Sequence, residues 1–69
     1  MIEVFKTNVQ NKDESLLIVQ KLLEFCPEGN INFDLEDCDK ILRVEDRYVP
    51  KVKIVLLLNS YGYHCEVLN

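Results

Sequence analysis

The chain has 69 residues, a formal net charge of −4, three cysteines and no tryptophan. That length makes one small domain, which buries only about 60% of the surface its unfolded chain exposes. An odd cysteine count at irregular spacing (Cys26, Cys38, Cys65) excludes a secreted disulfide framework, and the acidic balance argues against nucleic-acid binding, whose affinity comes largely from neutralising phosphates.

The elements follow in order along the chain. Ile2 to Thr7 has strand composition. Asn11 reads as a helix N-cap, with Glu14 three residues on at capping-box spacing. The predicted helix runs from about Lys12 to about Phe25, with Leu16, Val19, Leu22, Leu23 and Cys26 on its core face, and Pro27 and Gly29 end it. Ile31, Phe33 and Leu35 then alternate with Asn32, Asp34 and Glu36 as a half-buried strand. Asp37, Cys38 and Asp39 make a polar turn, and Lys40 to Glu45 is the return strand, with Leu42 and Val44 inward. Pro50 suits the first turn of a second helix, because its missing N–H costs nothing there. Ile54, Val55, Leu58 and Tyr61 form the inner face of that helix, Gly62 caps it, and Tyr63 to Leu68 is a last strand. The order β-α-β-β-α-β predicts a ferredoxin-like α+β sandwich spanning residues 1–69, a four-stranded antiparallel sheet with both helices on one face.

The strand and helix of VFKTNVQNKDESLLIVQKLL, the FDLED strand and the closing LLLNSYGYHCEVL carry a resemblance that covers nearly the whole chain. It resembles the heavy-metal-associated domain of copper chaperones and copper-transporting ATPases. The resemblance implies the ferredoxin-like fold. The functional mark of that family is a C-x-x-C pair at the first strand-to-helix junction, where two thiolates hold soft Cu(I). Ungapped alignment of the helix faces puts Lys12 and Ser15 at those positions and Gln10 where a methionine commonly precedes the first cysteine. A charged ammonium has no lone pair to give, and a hydroxyl is a hard, neutral oxygen. The chain thus resembles a degenerate member without the metal motif.

Other residues offer weaker candidates for chemistry. Cys38, Cys65 and His64 are candidate metal ligands on topological grounds, since the loops carrying them gather at the same end of the sheet as the junction. The hairpin and the last strand are expected on opposite sides of the first strand, which separates Cys38 from Cys65 by about 10 Å, too far for one ion. Cys65 and Cys26 read as core residues and Cys38 as the exposed thiol. His64 is expected on the open face of the sheet. The acidic DLEDCD turn has neither the glycine nor the terminal glutamate of a calcium loop. No nucleophile has a histidine base near it in the pattern, and no glycine-rich phosphate loop is present, so no enzyme activity and no cofactor are expected.

Apolar residues outside the expected core give the remaining signal. Ile18 and Phe25 fall opposite the expected core face of the first helix and Val52 and Leu56 opposite that of the second, while Ile2, Val4, Ile41 and Leu68 are expected on the open sheet face. These positions predict a surface for a protein partner or for homo-oligomerisation. The opening MIEVFKTN lacks a basic leader followed by an apolar run, and the longest apolar run, Ile54–Leu58, is too short to span a bilayer, so a cytoplasmic protein with no membrane partner is expected. The functional expectation is a non-enzymatic interaction module. Metal handling through non-standard ligands such as Cys38 is the alternative.

Overall fold

β1 (Ile2–Thr7) turns its odd-numbered side chains to one side of a sheet and its even-numbered ones to the other. In the computed structural model, which describes residues 1–68, that strand leads into α1 (Lys12–Leu22), β2 (Asn30–Asp34), β3 (Ile41–Glu45), α2 (Lys51–Ser60) and β4 (Cys65–Leu68). The strands form one antiparallel sheet in the order β2-β3-β1-β4. The four strands and two helices are those of the α+β ferredoxin-like arrangement expected from the sequence. β1 and β3 are interior, and β2 and β4 are the edges. As expected, the hairpin and the last strand lie on opposite sides of β1.

The core lies between the helices and one sheet face. Phe5, Leu42 and Val44 from the sheet meet Ile18 and Leu22 of α1 and Ile54 and Leu58 of α2, all buried. Val9, from the junction before α1, and Val49, before α2, are buried beside them. Both lie in polar stretches outside the periodic runs, where strand and helix patterns give no signal. Glu3 shares the inner side of β1 but sits at its end, where its carboxylate meets the Lys51 ammonium of α2 at 3.9 Å.

α1 is rotated relative to the expected orientation. Ser15, Ile18 and Leu22 face the sheet, while Leu16 is 51% exposed and Leu23 also reaches solvent. At 100° per residue this face lies roughly 70° from the expected one of Leu16, Val19, Leu22, Leu23 and Cys26, of which Leu22 and Cys26 are buried as expected. Ile18 is fully buried, which corrects its expected place on an outer, partner-facing surface. The physical reason is that Leu16, Leu17, Ile18 and Val19 are consecutive and apolar, so the pattern allows several rotations. The small Ser15, 6% exposed, lets the helix start approach the sheet. The helix also ends at Leu22, earlier than Pro27 requires, and three residues of turn follow.

α2 keeps Ile54 and Leu58 inside and Val55 half-buried, with Val52 and Leu56 outside. Tyr61, expected inside, is 43% exposed, because α2 ends at Ser60 and the chain turns there. Gly62 sits at φ +89°, and the Gly62 and Tyr63 N–H groups donate to the carbonyls of Asn59 (2.9 Å) and Leu58 (3.0 Å). This is the Schellman closure that a glycine after a helix favours. On the open sheet face Ile2 is exposed, whereas Val4, Ile41 and Leu68 are half-buried between neighbouring side chains. Val4 is flanked there by Arg43 and Leu68, and Lys6 pairs with Glu66, so the face is mixed rather than apolar.

Candidate functional site

Three loops converge at the end of the sheet where β1 finishes. The junction before α1, the β2–β3 turn and the turn after α2 are tied together by two polar residues. The Thr7 N–H donates to the Asp39 carbonyl (3.0 Å) and the Thr7 hydroxyl to the Lys40 carbonyl (2.6 Å). The same hydroxyl oxygen accepts from the Val9 N–H at 3.3 Å. The Asn8 side-chain oxygen accepts the His64 N–H at 2.8 Å. Thr7 is 5% exposed, so its hydroxyl must be paired, and here one side chain holds the junction to the hairpin. The periodic pattern did not single out this clasp. A threonine at the inward end of a strand was its only trace in the sequence.

At the junction itself the residues close on one another. The Asn11 Oδ1 accepts the Glu14 N–H at 2.9 Å, the expected N-cap. The Glu14 carboxylate reaches back to the Gln10 N–H at 3.2 Å, one residue before the cap. Ser15 is turned inward, and its hydroxyl donates to the Lys12 carbonyl at 2.7 Å. Lys12 points outward and is exposed. The two positions at C-x-x-C spacing therefore present an ammonium in solvent and a hydroxyl engaged with its own helix, and neither is a soft-metal donor.

Asp37, Cys38 and Asp39 bring one thiol and two carboxylates within 4.8 Å of one another, the one such group of three found among the described residues. The Cys38 Sγ lies 3.9 Å from the Asp39 carboxylate. Both carboxylates have partners already: Asp37 accepts the Asp39 N–H at 2.8 Å, and Asp39 lies 3.6 Å from the Lys6 ammonium. Lys40 follows at φ +45°, a left-handed conformation, with its ammonium donating to the Leu35 carbonyl at 2.8 Å. The mixed thiol and carboxylate set suits a borderline ion such as zinc better than Cu(I), and it supplies three donors where zinc takes four.

Cys65 and His64 do not join this group. Cys65 pairs with Thr7 across β1–β4, on the other side of β1 from the hairpin. Cys65 is half-buried against the core, and burial pushes its thiol up to about 11. Burial, together with nearby Asp46, also raises the thiol of Cys26. Cys38 is exposed, and so is His64.

Concave surface occurs along the flanks. One groove of about 340 Å³ lies between α1 and β2, lined by Leu16 and Val19 on one side and Ile31, Phe33 and Leu35 on the other. A second, of about 390 Å³, lies between α2 and β4 and is lined by Val52, Val55, Leu56 and Val67. A third, of about 430 Å³, adjoins it at Val52 and includes Tyr48 and Pro50. Val52 and Tyr48 are 72% and 71% exposed. Phe25 is partly exposed after the end of α1. Among the described residues no helix is long and apolar enough to cross a membrane.

No family model matches the sequence, and no curated protein or solved structure gives a significant match.

Proposed function

We propose that this chain is a non-enzymatic protein-interaction domain of the cytoplasm, a relative of heavy-metal-associated domains that lacks their thiol pair. The observation that carries the reading is the distribution of apolar surface. Large apolar side chains line grooves on both flanks, while the loop end holds paired polar groups. Single exposed apolar residues are ordinary on any protein. Here they are contiguous: Tyr48, Val52 and Leu56 border two adjoining grooves, and Leu16 and Val19 overhang an open strand edge. Apolar grooves of this kind fit peptide or protein partners.

Metal handling is the second reading, favoured by the clustering of Asp37, Cys38 and Asp39. One experiment separates the two: the metal content and solution mass of the purified protein, followed by Cu(I) and Zn(II) titration against a competing chelator. The interaction reading expects metal-free protein and no affinity that depends on Cys38. Stoichiometric metal whose affinity falls at least ten-fold in Cys38→Ser would overturn it.

A further inference from the structure

β2 is an open edge whose sequence does little to discourage pairing. Natural sheets protect their edges with lysines, prolines, bulges or covering elements. β2, Asn-Ile-Asn-Phe-Asp, contains no lysine and no proline, pairs with β3 in unbroken register, and carries one charge, Asp34 at its end. Its outward side chains are Asn30, Asn32 and Asp34; Ile31 and Phe33 lie on the helix side, half-buried. Above them the apolar flank of α1 is unfilled.

We propose that this edge pairs with the same edge of a second copy of the chain, antiparallel, about a two-fold axis through Asn32. The strand is self-complementary in that register. Ile31 faces Phe33 of the second copy on the helix side. Asn32 faces its own counterpart, so two amides pair donor to acceptor. Asn30 faces Asp34 of the second copy, an amide donor against a carboxylate, and within Asn30–Asp34 no carboxylate meets another. Like charges directly opposite would destabilise the pair, and within the strand this register avoids them. A two-fold axis perpendicular to the sheet keeps both helix layers on the same side. It turns the Leu16, Val19 and Leu23 flanks of the two α1 helices toward one another over the joined strands, in antiparallel order. Lys12 of each copy then lies toward the C-terminal end of the other α1, where the helix dipole favours a cation. Backbone pairing supplies about four to six hydrogen bonds, depending on which residues of β2 point their N–H groups outward. The α1 residues that line the groove outside the monomer core, Leu16 above all, thereby gain a partner.

Site-specific cross-linking tests the register. In a Cys38→Ser background, Asn32→Cys places two thiols opposite each other with Cα atoms roughly 5 Å apart, within the range a disulfide spans. Asn30→Cys leaves its two thiols four residues out of register, roughly 13 Å apart. Mild oxidation is expected to give at least ten-fold more covalent dimer at position 32 than at position 30. Equal or absent cross-linking at the two positions overturns the proposal, as does a monomeric mass of the Cys38→Ser parent at every concentration. Asn32→Asp is the second variant. In the single copy it faces Arg43 across β2–β3, but at the axis it sets carboxylate against carboxylate. The dimer dissociation constant should rise at least ten-fold with no loss in the urea midpoint measured at concentrations where the protein is dissociated, and an unchanged constant counts against the axis.

The inference rests on the interaction reading, and the two fail differently. Association without cross-linking at position 32 removes this surface and leaves the reading in place. Metal loading that depends on Cys38 removes the reading and does not touch the cross-linking result.

Discussion

Ile18 and Leu16 stand two positions apart on α1 in opposite surroundings, one fully buried and the other half in solvent. Truncation should separate them. Ile18→Ala truncates a fully buried side chain of the core and is expected to cost about 2–5 kcal/mol by urea denaturation. Leu16→Ala should cost under about 1 kcal/mol in the dissociated protein. Equal losses would contradict the observed rotation of α1. The cysteines divide in the same way. Cys38 should react first with a maleimide under native conditions, half-buried Cys65 more slowly, and Cys26 only as the chain unfolds. Cys65 also makes stability depend on pH. Its folded thiol ionises at about 11 against an ordinary 9.0, so between those values the unfolded chain releases a proton that the folded chain keeps. Its contribution is complete below about pH 9 and is lost as the pH climbs toward 11. Urea midpoints across that window should fall, and fall less in Cys65→Ala.

At the scale of elements, the helix ends are where local chemistry decides most. Asn11 closes the start of α1 with its side chain, and Gly62 closes the end of α2 with its backbone. Asn11→Ala should lower stability by about 0.5–2 kcal/mol through the lost cap. Gly62→Ala meets no steric obstacle, since no atom lies within 4 Å of the added Cβ. The left-handed φ of +89° alone penalises it, by about 1–2 kcal/mol. Chemical denaturation checks both, and a neutral Gly62→Ala would show that the turn rearranges freely. These caps were legible in the sequence because each depends on neighbours within a few residues. The strand spans were nearly as legible, since alternation over five or six residues fixes a face. The rotation of α1 was not, because four adjacent apolar residues satisfy several faces and the choice rests on packing against strands far along the chain.

For the whole molecule, the strand order sets where the sheet opens. β1 and β3 are each paired on both sides, and β4 is a four-residue edge. Amide exchange should be slowest in Phe5, Leu42 and Val44 and faster in Cys65–Leu68. Protection in Asn30–Asp34 should grow with protein concentration if that edge is covered by a second copy, and it should be concentration-independent otherwise. The loop end depends on tertiary contact throughout. Thr7 and Asn8 reach Lys40 and His64 across 33 and 56 residues of chain, so no local pattern reveals that clasp. The α1 flank and the β2 strand that makes a groove with it are closer in sequence, but they too belong to separate elements joined by a turn.

By itself the sequence determined the order of elements, the faces of the strands, the caps at Asn11 and Gly62, and the lack of a thiol pair at the first junction. Each follows from residue type and short-range spacing. The tertiary structure alone decided which side of α1 enters the core, that Thr7 clasps the junction to the hairpin, and that Cys65 stays apart from Asp37, Cys38 and Asp39. It also placed surplus apolar side chains along two flanks, one of them over an open strand edge. These depend on the strand order and on packing between distant segments, which periodicity within one segment does not encode.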